Sequence, residues 1–287
     1  MWEILAHRGA RFSVARHHTW PGVAQIIFDV LWESPSSWMT ASFDRTSICL
    51  LRQEVGGRGE FRLHPDASHG EYHGAGHLTV LAASQPITLR GNQMRRTQMA
   101  CLVPEPQEVA GLNSQQVAAI RSAGSRVMFR NDRLQACAQL LTDYEGTDGA
   151  DAYVAGLAGA LSAALLAAID QPIRNHTREL SGQMLLSVFD HIDSHLSESV
   201  TNDDLARVAG LSSSVFSQAF REVTGMSPQR WQMDARVRLA QRLMFDNPAE
   251  SLANIASRAG FSDQSHFSRA FFEVMGMSPS AWVHQGR

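Results

Sequence analysis

Residues 205–231 and 255–282 are two copies of one pattern, and this duplication constrains the C-terminal third more than any other feature of the chain. Leu205, Ala206, Ala209, Gly210 and Ser212 recur fifty residues later as Ile255, Ala256, Ala259, Gly260 and Ser262. Phe216, Ala219, Phe220, Glu222, Val223, Gly225, Met226, Ser227, Pro228 and Trp231 recur fifty-one residues later as Phe267, Ala270, Phe271, Glu273, Val274, Gly276, Met277, Ser278, Pro279 and Trp282. The offset changes by one between Ser212 and Phe216, so one copy has a slightly longer turn. Two copies are too few to stack as a solenoid. Each must be a small unit closed by its partner or by flanking helices.

Within one copy, Leu205, Val208 and Ala209 have helical spacing, and Thr201 with Asp204 forms a capping-box pattern. Gly210 ends that helix, because glycine tolerates the left-handed conformation at a helix C-terminus. Ser212 is placed to cap a second helix, in which Val215, Phe216, Ala219, Phe220 and Val223 form an apolar stripe. Gly225 ends it, and Ser227-Pro228 starts a third, with serine as cap and proline at the first helical position. The second copy repeats the plan with Gly260, Ser262, Gly276 and Ser278-Pro279. Two short helices joined by a tight glycine-containing turn are a helix-turn-helix, whose second helix is the kind that enters a DNA major groove.

Two such units about fifty residues apart, the second reading Gly-Phe-Ser-Asp-Gln-Ser-His-Phe-Ser-Arg-Ala-Phe at 260–271 and closing Gly-Met-Ser-Pro at 276–279, resemble the DNA-binding domain of the AraC/XylS transcription regulators. The resemblance covers residues 183–283. It implies a cytoplasmic, sequence-specific regulator, more often an activator acting on RNA polymerase, with a small-molecule effector and no cofactor. It also implies a cupin-like N-terminal barrel. The expected fold is therefore α+β and multidomain: a β-rich barrel with following helices, then an all-α domain with two helix-turn-helix units joined by a long helix. Residues 1–170 would sense the effector or mediate dimerisation (β-rich 1–110, helical 113–170). Residues 171–182, polar and interrupted by a proline, read as a linker. Residues 183–287 would bind DNA, with the two units at about 202–224 and 251–275.

Charge gives this reading little help. All 25 basic residues are arginine, against 28 acidic ones, and the net charge is −3. Residues 180–287 alone hold nine arginines and eleven acids. A basic domain is the usual footprint of a DNA binder. Its absence points to local charge placement, helix N-termini directed at phosphates and modest non-specific affinity. The three scattered cysteines, Cys49, Cys101 and Cys137, form no C-x-x-C and read as reduced thiols. Residues 1–18 have no apolar run and do not read as a signal peptide. No segment reaches ~18 uninterrupted apolar residues, the length of a membrane span. The nearest is the alanine-rich stretch 153–169.

Residues 24–30, 47–52, 59–64 and 77–82 are strand-length runs separated by clusters such as Ser34-Pro-Ser-Ser37 and Gly56-Gly57, which suggests a small sandwich or barrel. His64, His69, His73 and His77, with Glu71 nearby, could hold a metal. They lack the H-x-H spacing of metal cupins, and loop histidines in a glycine-rich segment are the plainer reading. A metal-dependent cupin enzyme fused to a DNA-binding domain is the alternative from another class. Trp20, Trp32 and Trp38 could line an apolar pocket or simply fill a core. Helices are expected at 114–123, 130–143 and 151–169. The last carries Val154, Leu157, Leu161 and Leu165 on one face and Ala158, Gly159, Ala163 and Ala164 beside it. Helices after the barrel often form the dimer contact in the family resembled; packing on the barrel is the alternative.

A helix at 183–196 opens the C-terminal domain. The helix between the two units, 228–247, would be a rod of ~30 Å, close to the ~34 Å turn of B-DNA. One chain could then place two recognition helices in successive major-groove segments of a bipartite site. Candidate DNA-contacting residues are Ser212, Ser213, Ser214, Ser217, Gln218 and Arg221 in the first unit. In the second they are Ser262, Asp263, Gln264, Ser265, His266 and Arg269, with Ser268 beside them. Gln264 suits adenine, and Arg269 suits guanine or phosphate. Ser212 and Ser262 are better placed to cap helices and meet phosphate. Arg236 matches an arginine common in the family's connecting helix; its alternative is an ion pair with Asp234 or Glu222.

Overall fold

A computed structural model of the chain describes residues 2–34, 37–63, 71–72, 78–129, 131–144, 151–170, 180, 182–198 and 200–285. It divides into two compact units, Met1–Glu54 with Arg58–Arg174, and Val55–Gly57 with Asn175–Arg287.

In the N-terminal unit, nine strands among the described residues form one sheet: β1 (Trp2–Arg8), β2 (Ala10–Trp20), β3 (Val23–Trp32), β4 (Trp38–Phe43), β5 (Ser47–Arg62), β6 (Glu71–Tyr72), β7 (Leu78–Leu81), β8 (Ile87–Pro104) and β9 (Arg126–Phe129). Their order is β1-β4-β8-β5-β7-β9, with β3 also on β8, β2 on β3 and β6 on β5. Strand β8 is the spine. Its first residues, Ile87 to Arg90, pair with β4, and its stretch from Arg96 to Pro104 pairs with β3. Pro21-Gly22 closes the β2–β3 hairpin, with Trp20 opposite Val23 and Gly22 at φ +86.

Side chains alternate across a strand, and here the alternation separates two cores. Ile26, Phe28, Val30, Cys49, Cys101 and Val103 join a core built from strand residues. Their neighbours Val23, Ile27, Ile48, Leu50, Ala100 and Leu102 join a second core, with residues of three helices. One face of the sheet thus packs on itself and the other lies under α1 (Ser114–Arg121), α2 (Asp132–Asp143) and α3 (Asp151–Asp170). A 3-10 turn, Pro106–Glu108, precedes α1. Asn113 and Gln116 form a capping box at α1, and Asn131 caps α2. Cys49 and Cys101, distant in sequence, meet in the inner core with Sγ atoms 3.0 Å apart as free thiols, and burial raises the Cys101 pKa.

Several sequence expectations need correction. Strands β1 and β2 occupy a stretch without an apolar run; exposed residues alternate with half-buried ones along much of β2, so its apolar signal is faint. Strand β5 continues through Gly56-Gly57 despite its turn-like composition; Gly56 sits at φ +102 within the strand. Strand β9 interrupts the region expected to be helical. Trp20, Trp32 and Trp38 do not share a pocket. Trp32 is in the inner core and donates to Thr97 Oγ1 at 2.8 Å, whereas Trp20 packs against the helix-covered core and stacks on His18. Helix α3 contains a 19-residue stretch, Ala152–Asp170, of mean hydropathy 2.0, which by length and composition alone is enough to cross a membrane. Its Val154, Ala158, Leu161, Ala164 and Leu165 are buried in the outer core. The four histidines at 64, 69, 73 and 77, and nearly all of the 171–182 linker, lie outside the described residues.

The regular elements of residues 182–285 are all helices: α4 (Gly182–Ser194), α5 (Asn202–Ala209), α6 (Ser213–Thr224), α7 (Pro228–Asp246), α8 (Leu252–Arg258), α9 (Gln264–Met275) and α10 (Pro279–Gln285). Thr201 and Asp204 form the capping box of α5, and Gly210 ends it in the left-handed conformation. Gly225 and Gly276 end α6 and α9 in the same way. The repeated aromatic residues are the cores. Phe220 meets Phe216 and Trp231 in the first copy; Phe271 meets Phe267 and Trp282 in the second. All six are buried, and each fully buried apolar side chain contributes about 1.5–3 kcal/mol.

Candidate nucleic-acid interface

Helix α7 connects the two helix-turn-helix units. At 19 residues it is ~28 Å long. Its Trp231 end packs with α4 and α6 on the first copy, and its Val237, Ala240, Leu243 and Met244 pack with α8 and α9 on the second. The recognition helices α6 and α9 are therefore carried by one rod.

The candidate side chains differ in how far they are engaged within the protein. In the first copy Ser213 donates to Asp203, Asn202 donates to Ser217 at 3.4 Å, and Gln218 donates to Glu222 at 3.0 Å. Arg221 is exposed, and its side chain has no hydrogen bond or ion pair with the described residues. In the second copy Gln264, Ser265 and Arg269 are exposed and equally uncommitted in their side chains, while His266 is half-buried against Phe261. The outward face of α9 is thus freer than that of α6.

The helix starts differ from the serine-cap expectation. Ser212 occupies the cap position of α6, but its hydroxyl makes no cap hydrogen bond and lies 3.5 Å from Ser214 Oγ. In the second copy the cap is Asp263, not Ser262. The Asp263 carboxylate accepts from His266 N at 2.8 Å, and Ser262 is left to donate to Asp263 at 3.0 Å. A carboxylate accepts the amide more strongly than a hydroxyl does, and the amide of His266 is the first cause of the lowered Asp263 pKa. The fifty-one-residue offset beyond the turn already places Ser212 opposite Asp263, so this shift was readable from the repeat. The two N-termini therefore differ: amides without a side-chain cap begin α6, and a carboxylate covers those of α9.

Arg236 is occupied elsewhere. Its Nε donates to Leu196 O and its terminal nitrogen to Glu198 O, both at 2.8 Å, so it satisfies carbonyls just beyond α4. Asp234, suggested as its partner, instead pairs with Arg230 at 3.1 Å, and burial raises the Asp234 pKa.

In the N-terminal unit the inner core leaves a cavity of about 30 Å³ lined by Phe28, Met39, Phe43, Phe61 and other apolar side chains. Ligand sites of drug-sized molecules occupy roughly 300–1,000 Å³. A cleft of about 370 Å³ opens outside the sheet, between the β4–β5 turn, the end of β8 and α1. There Arg45 pairs with the buried Glu105, which also accepts from Gln107 at 2.7 Å, and Arg121 is exposed, with no side-chain partner among the described residues. Among the described residues, no group of three or more His, Cys, Asp or Glu is placed to hold a metal ion.

These features define a double helix-turn-helix domain. A family model described as a helix-turn-helix domain matches residues 205–285. The probable transcriptional regulator LumQ of Photobacterium leiognathi is 32% identical over 98 residues, 34% of this chain and 39% of that protein. The arabinose operon regulatory protein of Escherichia coli is 38% identical over 93 residues, 31% of each chain. The crystal structure of the DNA-binding domain of AdpA with a target DNA is similar at 32% identity and a TM-score of 0.33, covering 36% of this chain and 92% of that one. The chain thus spans about a third of the length of the curated relatives it matches. Its C-terminal unit is a helix-turn-helix domain similar in sequence to those of these regulatory proteins.

Proposed function

We propose that the chain is a sequence-specific transcription regulator, an activator, that binds a bipartite DNA site through α6 and α9, and that it is not an enzyme. The observation that carries this is the placement of two recognition helices on one ~28 Å helix, close to a turn of B-DNA. Gln264 and Arg269 are the base-reading candidates because no side chain among the described residues competes for them. Arg221 and the uncapped start of α6 are suited to phosphate. As an activator the protein would act on RNA polymerase in the cytoplasm. The test is selection of bound fragments from a genomic pool with full-length protein at stated salt. Two short motifs about one helical turn apart support the reading; no enrichment at low salt, with or without cell extract as a source of effector, rejects it.

The N-terminal unit would mediate dimerisation through α3. Outward on this helix lie Ala152, Tyr153, Ala155, Gly156, Ala160, Ala163 and Ala167, a face of mostly small side chains that meets a charge at Asp170, the last residue of the helix. A second reading is an effector-independent regulator. It is favoured by the inner core, where the described residues leave a cavity of about 30 Å³, far below the ~300 Å³ of a drug-sized ligand site. A small-molecule effector would bind the 370 Å³ outer cleft instead.

A further inference from the structure

The carbonyl of Leu196 is enclosed by two residues far from it in sequence. Arg236 on α7 donates to it from Nε and to Glu198 O from its terminal nitrogen. Gly260, in the turn of the second helix-turn-helix, approaches from another side. A Cβ added there would run into the Leu196 carbonyl oxygen and lie 3.0 Å from Ser197 Cα, and Gly260 also holds φ +84. Glycine is required at this position both for the backbone angle and for the approach.

The segment after α4 belongs to the first copy. Phe189 of α4 stacks on Trp231 and meets Phe220, so α4 moves with α6. The contact of Leu196 with Gly260 therefore joins the body that carries α6 directly to the turn that precedes α9. Helix α7, whose Arg230 also donates to Glu273 O of α9 at 3.2 Å, is one connection between the copies; the approach of Leu196 to Gly260 is a second that does not run through the rod. The second connection closes a triangle of α4, α7 and the Gly260 turn.

We propose that Arg236 and Gly260 are positioning residues that fix the angle and separation of the two recognition helices, and so set how strictly the protein demands one spacing between its DNA half-sites. This rests on the DNA-reading function proposed above. Arg236 acts here through main-chain carbonyls, not through DNA. A fixed pair of reading heads engages the second half-site at high effective concentration only where its geometry matches.

The test uses full-length protein carrying spin labels at Glu222→Cys on α6 and Phe272→Cys on α9, both exposed, in a Cys137→Ser background. Label-to-label distances are measured without DNA in the parent, in Arg236→Gln, in Gly260→Ala and in the conservative Arg236→Lys; circular dichroism identifies folded variants. Duplexes recovered by the genomic selection, with the spacer changed by one or two base pairs, then probe DNA binding. The expected result is one narrow distance in the parent, a broadened distribution in Arg236→Gln and Gly260→Ala, and partial recovery in Arg236→Lys. Discrimination between spacings falls from about tenfold or more to about threefold or less. An unchanged distance distribution in folded Arg236→Gln and Gly260→Ala overturns the clamp, as does broadening with unchanged discrimination between spacings. Broadening in a chain that binds no duplex at any spacing supports the clamp and rejects the DNA-reading function instead.

Discussion

The rings of Phe189 and Trp231 stack with centroids 4.4 Å apart and planes 12° from parallel. Phe189 lies on α4, outside the duplicated segment, and Trp231 begins α7, inside it. The first copy is therefore closed by a helix that precedes it, while the second is closed by α7 itself. Phe189 and Trp231 are both essentially buried. Replacing Phe189 by Ala leaves a cavity in the core of the first copy and is expected to cost about 3–5 kcal/mol. Urea denaturation of the full chain, followed by a C-terminal probe, measures it; a cost under ~1 kcal/mol would remove α4 from the account of that core.

Asp263 combines a structural benefit with an electrostatic cost. Asparagine caps helices about as well as aspartate but carries no charge toward a phosphate. Asp263→Asn is expected to leave the melting temperature within a degree or two and to tighten binding to random-sequence DNA at low salt, about 0.3–1 kcal/mol, the scale of one charge at a helix terminus. Anisotropy titrations in a salt series check this. Ser262→Ala should change stability less than Asp263→Ala, which loses the cap at about 1 kcal/mol.

Gln264 tests base reading. Gln264→Ala is expected to cost about 1–3 kcal/mol at the selected site and to relax base preference at one position. A loss that is equal on every sequence would make Gln264 a backbone contact.

The fold class and the C-terminal unit were largely legible because duplication supplies its own control. Glycine, serine-proline and aromatic positions repeat, and each repeat has a mechanical reason: a left-handed helix end, a helix start, a ring in a core. The N-terminal sheet was harder. Strands β1 and β2 carry arginines and histidines on exposed positions, so their apolar alternation is weak. Gly56-Gly57 has turn composition yet lies inside β5, where pairing overrides local preference. The partners of Arg236 were out of reach because they are main-chain carbonyls forty and thirty-eight residues away, which no side-chain pattern encodes.

The α5 capping box is a source of acid sensitivity. The Thr201 hydroxyl and amide hold the Asp204 carboxylate at a pKa of about 2, with help from Arg207. A carboxylate with a depressed folded pKa stabilises fully above its unfolded value, ~3.9, and loses that contribution as pH falls toward the folded value. Asp204→Asn should therefore be less stable than the parent at pH 6, and the difference should shrink between pH 4 and pH 2. Urea midpoints across that range decide the matter; a constant difference would assign the effect to something other than ionisation.

The exposed small-residue face of α3 predicts self-association. Ala160→Glu places a charge at an exposed position of that face. It is expected to convert a dimer to a monomer in sedimentation while leaving the fold intact. A monomeric parent would remove α3 from the interface.

The central claim is that one chain presents α6 and α9 to one side of a duplex. Hydroxyl-radical footprinting of the full-length protein on its selected site reads that geometry directly. The account predicts two protected patches on the same face, about 10 base pairs apart. A single patch, or two patches on opposite faces, would contradict it.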